Sequence, residues 1–381
     1  MLAAGLTGLS ARVNKMHAIL NLTGMVLILL VLYLISDNRR IIEWKIIIKA
    51  LCAQLILTIV ILKIPYGVIA VESISSLIQT VFNYSHNGIA FVLGPLADEG
   101  KTGFIFVVQV LFALVFLGAL INILNYLGVL KLIITVLGTL VGKLCGTSKI
   151  ESFVCVANMF LGQTDSPLLI SKYLHLMTRS EMFIVVVAGM GSMSVTILGG
   201  YNALGIPMNF LIIACTLVPF ASIALGKIAF PQSEGDKVLT SITLDRSHCG
   251  SNLIDALGNG AMDGMKMVIA ISAALIAILS CIAMINGILA PTGFALEDLF
   301  GIIFYPLSFL LGIEEHLRSV ASELLGYKLA MNEFISFSKL APLLQELDYR
   351  SQAMLCIAIA GFANFGSMAI SLSSIGVLCP Q

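Results

Sequence analysis

From His17 to Ser36 the chain reads HAILNLTGMVLILLVLYLIS, with no Asp, Glu, Lys or Arg to interrupt it. Twenty such residues, at a helical rise of about 1.5 Å each, cover the roughly 30 Å hydrocarbon core of a bilayer. The run has no small-residue cleavage site after a short apolar core, so it reads as a permanent span and not a signal peptide. Similar runs recur at about Ile46–Lys63, Gly103–Leu130, Met182–Tyr201, Pro207–Phe230, Met267–Leu289 and Gln352–Leu378. Charged residues make up 11% of the 381 positions, against about 25% in soluble domains, too few for a solvated surface of ordinary size. We therefore read an integral, all-α, polytopic membrane protein. The 21 Lys and Arg residues balance 21 Asp and Glu, which argues against a nucleic-acid partner. The eight Cys residues form no C-x-x-C pair, and most stand in apolar runs (Cys52, Cys155, Cys215, Cys281, Cys356). They read as small core residues and not as disulfides or metal ligands.

Polar breaks separate the runs: SDNRR, ADEGKTG (Ala97–Gly103) and the hydrophilic stretch Phe230–Asn252. Two further segments, Tyr66–Gly88 and Asn252–Met267, carry polar residues at helical spacing and read as amphipathic interfacial helices. Basic residues are spread over several loops, so charge bias sets no orientation. An internal echo is more informative. AGMGSMSVTI (188–197) and AGFANFGSMAI (360–370) are both spans of Gly, Ser and Ala. Each follows an acid in a polar break, Asp165 by 24 residues before Gly189 and Glu333 by 28 before Gly361. Gly- and Ser-rich spans also serve plain helix packing, but matched acids in corresponding halves point to a secondary transporter built from repeats.

The first break, NMFLGQTDSPLLI (Asn158–Ile170), places Gly162 and Pro167 where neither favours a continuous helix. Non-helical backbone survives at membrane depth only beside protein or a water-filled cavity. A re-entrant hairpin satisfies this: one helix ends near Gly162, another restarts near Pro167, and Gln163, Thr164 and Asp165 form the tip. A carboxylate there costs about 2.5–3.5 kcal/mol even on the lenient insertion scale. Asp165 either caps the restarting helix or accepts hydrogen bonds from a polar ligand, with Gln163 supplying donor and acceptor. The second break, Leu329–Leu340, sets Asn332 and Glu333 in apolar sequence. Glu333 either pairs with Lys339 or Arg318 or faces a ligand. Asn364 and Ser367, three residues apart, share a helix face. An acid, an amide and a hydroxyl suit the vicinal hydroxyls of a sugar; the first half, an amide and an acid beside an apolar wall, suits a planar base.

These motifs resemble the concentrative nucleoside transporter family. The stretch from Gly146 to Ile170 is similar to the family's first re-entrant hairpin, usually G-Q-[TS]-E-[AS]-P-L. INGIL (Ile285–Leu289), NEF (Asn332–Phe334) and GFANFGSMAI (Gly361–Ile370) follow in family order, and the similarity runs from about Tyr66 to the C-terminus. The resemblance implies a homotrimer with inverted repeats, two re-entrant hairpins and two partly unwound helices around a midplane nucleoside site. Carried over, it assigns Gln163 and Asp165 to the base, with Thr164 assisting and Ile197 as an apolar wall. Glu333, Asn364 and Ser367 would hold the ribose, with Phe362 beside them. The family's sodium site maps to Asn158 and Ser192 side chains and the carbonyls of Leu161, Ser192 and Met193. One departure stands out: Asp165 occupies a position usually held by Glu, so base preference is open.

The expected organisation is N-terminal transmembrane helices over 1–65 and scaffold and interfacial helices over 66–148. A first transport repeat then covers 149–230, a loop with interfacial and scaffold helices 231–315, and a second transport repeat 316–381. The expected function is cation-coupled nucleoside import across the bacterial inner membrane by alternating access, with sodium preferred over protons and no cofactor. The rival is a channel or nucleoside-recognition component sharing the hairpins without active transport. No H-E-x-x-H, G-x-S-x-G or P-loop is present, so an intramembrane enzyme is not expected.

Overall fold

A computed structural model of the chain describes residues 2–163, 166–233 and 251–378. Among them it contains seventeen α-helices and no strand. The first three are α1 (Leu2–Ile35), α2 (Trp44–Lys63) and α3 (Pro65–Leu93), followed by the short α4 (Glu99–Thr102), α5 (Ala113–Tyr126) and α6 (Val129–Cys145). Then come α7 (Lys149–Leu161), α8 (Ser166–Leu169), α9 (Arg179–Gly191), α10 (Val195–Ala203) and α11 (Met208–Ala229). The remainder are α12 (Leu253–Leu289), α13 (Leu296–Leu310), α14 (Arg318–Ala330), α15 (Glu333–Leu340), α16 (Tyr349–Ile359) and α17 (Phe365–Leu378). Among the described residues five stretches are long and apolar enough to cross a membrane, at 44–63, 107–126, 179–203, 208–229 and 253–292.

Two expectations need correction. The segment Asn252–Met267 is not a separate interfacial helix: it runs without a break into the following span as the 37-residue α12. Its glycines explain this. Gly260 and Gly264 lie directly on α5, where a Cβ on Gly260 would stand 2.5 Å from the Gly118 carbonyl oxygen and one on Gly264 2.4 Å from that of Leu114. Small residues four apart let two helix backbones touch, and here they weld the amphipathic half to the frame. The span at Gly103–Leu130 is shorter than drawn, because a π-turn at Val107–Leu111 precedes α5 and Gly128, at φ +77°, separates it from α6. The spans Met182–Tyr201 and Gln352–Leu378 are each interrupted, by Ser192–Ser194 and by residues 360–364, as the two partly unwound helices implied by the resemblance require. Residues 66–88 are helical as expected, within the longer α3.

The chain repeats one pattern twice. A 13-residue helix, a tip, a short helix, a six-residue 3-10 turn, a helix, a break and a final helix succeed one another from α7 to α10 and from α14 to α17. The helix starts obey local chemistry. Ser148 with Glu151 and Thr178 with Glu181 form capping boxes opening α7 and α9, each satisfying two otherwise orphaned amides. Both glutamates are fully buried. Lys227 of α11 reaches Glu151 at 2.6 Å and the Ser180 hydroxyl at 3.4 Å, tying α7, α9 and α11 together. The main core gathers Ile197, Leu198 and Tyr201 of α10 with Phe334 and Phe337 of α15 and Phe362 of the second break.

Candidate functional site

The first hairpin closes as the residues dictate. Helix α7 stops at Leu161 because Gly162 takes φ +83°, a conformation that disfavours any side chain with a Cβ. The Gly162 amide donates to the Asn158 carbonyl, and the Ser166 amide donates back to the Gly162 carbonyl at 3.2 Å, so α8 restarts beside the end of α7. Gln163 is buried at the tip; Thr164 and Asp165 lie outside the described residues. In the second hairpin Asn332 caps α15, accepting from the Ile335 amide at 3.0 Å. That leaves Glu333 at the first helical position and 4% exposed.

Glu333 pairs with neither cation considered from sequence. Its Oε1 accepts from the Tyr201 hydroxyl at 2.8 Å and its Oε2 from Asn364 Nδ2 at 3.2 Å. The Lys339 ammonium instead sits over the Tyr327 ring, and Arg318 donates to the Ile313 carbonyl and covers Phe309. Asn364 in turn caps α17, its Oδ1 accepting from the Ser367 amide at 2.7 Å. Gln163 reaches the same helix, because the Ser371 hydroxyl donates to its Oε1 at 2.8 Å. Asn364, Ser367 and Ser371 follow the i, i+3, i+7 spacing of one helix face. The amide from the first hairpin and the acid from the second are thus bonded to one strip of α17, about 10 Å apart along its axis. Phe362 and Ile197 are buried in the adjoining apolar core, and a Cβ on Gly162 would stand 3.6 Å from the Phe362 ring.

The residues expected to hold a cation cluster where α7 meets the first helix break. Asn158 is fully buried; its Nδ2 donates to the Val154 carbonyl and its Oδ1 accepts from the Ser166 hydroxyl at 2.6 Å. A Cβ on Gly189 would lie 3.6 Å from that oxygen, so the amide faces the last turn of α9. Ser192 and Met193 lie in the break, Ser192 donating to the Gly189 carbonyl and the Met193 carbonyl accepting from Cys215. The donors are hard oxygens from an amide, a hydroxyl and unwound backbone, a set that fits a small alkali cation. The two breaks touch: the Phe362 amide donates to the Ser192 carbonyl at 3.1 Å.

Sequence reasoning missed Tyr201 and Ser371. Tyr201 stands four residues after Ile197 and Ser371 four after Ser367, each on the face already assigned, but that spacing does not name the distant partner.

Family models agree with this geometry. Residues 210–381 match the Na+ dependent nucleoside transporter C-terminus, 23–96 its N-terminus, and 107–208 a gate model described as nucleoside recognition. A nucleoside permease, NupC of Helicobacter pylori, is 32% identical over 96% of this chain and 90% of its own. The chain belongs to the concentrative nucleoside transporter family. A transporter of Haemophilus influenzae is 36% identical over 96% of this chain and 91% of its own. Among solved structures, the transporter CNTnw in an inward-facing substrate-bound state superposes with a TM-score of 0.91, at 32% identity over 95% of this chain and 91% of that one. A doubly substituted form of CNTnw in an outward-facing state gives 0.90, at 31% identity over 96% and 91%. Like its family, the chain is a multi-pass inner-membrane transporter and not an enzyme.

Proposed function

We propose that the chain imports nucleosides across the inner membrane as a sodium-coupled symporter, working by alternating access as a homotrimer. The observation that carries the substrate reading is the strip of α17 to which Glu333 and Gln163 are both bonded. Glu333, Asn364 and Ser367 form its sugar end: the carboxylate accepts from hydroxyls, while the amide and the serine hydroxyl donate or accept. Gln163, assisted by Thr164 and Asp165, forms its base end, with Ile197 and Phe362 as apolar walls. The family's inward- and outward-facing neighbours support alternating access.

Sodium is the cation this donor set suits best, held by Asn158, Leu161, Ser192 and Met193. The ion would draw together the carbonyl oxygens of Leu161, Ser192 and Met193 at the first break. Asn158 would then hold Ser166, and with it the hairpin tip that presents Gln163. The Phe362 amide, bonded to Ser192, carries order from that break to Asn364 in the other. Each ligand therefore binds better with the other present, and the effect is reciprocal.

The test is uptake of uridine, inosine and guanosine into proteoliposomes under a sodium gradient and, separately, a proton gradient. Accumulation under sodium alone supports the reading. Accumulation under protons alone moves the coupling to a titratable group, and equilibration without accumulation under either gradient favours the channel or recognition-component rival.

A further inference from the structure

The two repeats match in order but differ in what faces their breaks. In the first, the polar groups at the end of α9 are the uncharged Asn158 and Ser192. In the second, the end of α16 is met by a charge: Lys328 Nζ donates to the carbonyls of Ala358 and Ala360, both at 3.0 Å. These are carbonyls that a helix end leaves without intrahelical partners and where its dipole is negative. Helices α7 and α14 are each 13 residues long; Asn158 is the tenth of one and Lys328 the eleventh of the other. The ammonium thus comes from the same turn of the same hairpin limb as the amide of the proposed ion site.

We infer that Lys328 is a tethered cation: at the second break its ammonium supplies the positive charge that a dissociable ion supplies at the first. It acts as a positioning residue for nucleoside binding, through the backbone it grips. Ala360 precedes Gly361, which takes φ +93° and lies so close to the first break that a Cβ would stand 2.5 Å from the Gly191 carbonyl oxygen. Phe362, next along, donates its amide to Ser192, and Asn364 holds Glu333. Lys328 also lies within electrostatic reach of Glu333. Fixing residues 358–360 fixes the sugar end of the site, with no second ion to recruit. The comparison with the first break rests on the ion site proposed above, whereas the test reads only nucleoside binding.

The experiment is equilibrium binding and uptake of whichever of uridine or inosine the wild-type protein transports, in purified Lys328→Gln and Lys328→Ala variants. Lys328→Gln keeps a donor of similar length and guards against loss of folding. Both variants should raise Kd and KM by about tenfold or more, since a pair of charge-assisted bonds is lost, while kcat changes less. Millimolar methylammonium, which can occupy the space left in Lys328→Ala, should restore binding there, where equal potassium does not. Binding within threefold of wild type in Lys328→Gln would overturn the assignment. Weakened binding in Lys328→Ala that ignores methylammonium would also overturn it, leaving Lys328 a structural cap. A wild-type protein that takes up neither nucleoside would instead count against the transport reading.

Discussion

Tyr201→Phe isolates one atom of the site. The Tyr201 ring is fully buried, with its centroid 4.6 Å from that of Phe334 and 4.8 Å from that of Phe337. Phenylalanine keeps that packing, so the change removes only the hydroxyl that donates to Glu333 Oε1 at 2.8 Å. A hydrogen bond to a charged group contributes about 1.5–3 kcal/mol, and every 1.4 kcal/mol is about tenfold in affinity. If Tyr201 holds Glu333 in its binding position, nucleoside Kd should rise by about tenfold to a hundredfold in protein that still folds. Binding measured for wild type, Tyr201→Phe, Glu333→Gln and the double variant closes a thermodynamic cycle. The two single changes should fall well short of adding, because Glu333→Gln takes away the charge that strengthens the bond and Tyr201→Phe takes away its donor. Tyr201→Phe binding within twofold of wild type, with an additive double variant, would refute the claim that this pair positions the sugar.

Other expectations follow from single contacts. Ser371→Ala releases Gln163 Oε1 and should weaken uptake of every nucleoside by several-fold while leaving discrimination between uridine and 2′-deoxyuridine intact; Glu333→Gln should weaken uptake and erode that discrimination as well, and competition uptake separates them. Gly361→Ala places a Cβ 2.5 Å from the Gly191 carbonyl oxygen at φ +93°, so transport should fall close to background in protein that still inserts, checked by uptake normalised to membrane content. Lys227→Met strands the carboxylate of Glu151, which is 1% exposed, at a cost of about 3–5 kcal/mol. The paired change Lys227→Met with Glu151→Gln should recover most of that in thermal unfolding of the detergent-purified protein.

What could be read in the sequence was whatever depends on near neighbours along the chain. The stop at Gly162, the restart near Pro167 and the closeness of Asn364 to Ser367 are decided within a few residues, and they appear as expected. What could not be read depends on partners far away. The Gln163–Ser371 bond joins residues 208 apart and the Tyr201–Glu333 bond residues 132 apart. No local rule separates a tyrosine that holds a catch from one that fills a core. The two helix breaks, at MGSMS and GFANF, are expected from the family resemblance, which implies two partly unwound helices, and the Phe362 amide of the second donates to the Ser192 carbonyl of the first. The polar start of α12 misled for a related reason, since Gly260 and Gly264 mark a helix pressed against α5 and not a boundary.

That seam between α5 and α12 divides the molecule by stiffness. Where Gly118, Gly260 and Gly264 meet, backbone lies directly against backbone. Such a contact cannot yield gradually; it holds its register or separates. The face of α10 is built otherwise, with the Phe82 ring laid on Gly199 and the Phe334 ring on Gly200, joints lined by side chains that can swivel and slide. Movement that exposes the site first to one side and then the other will concentrate at these lubricated joints, and the glycine seam will travel through the cycle as a single inflexible beam.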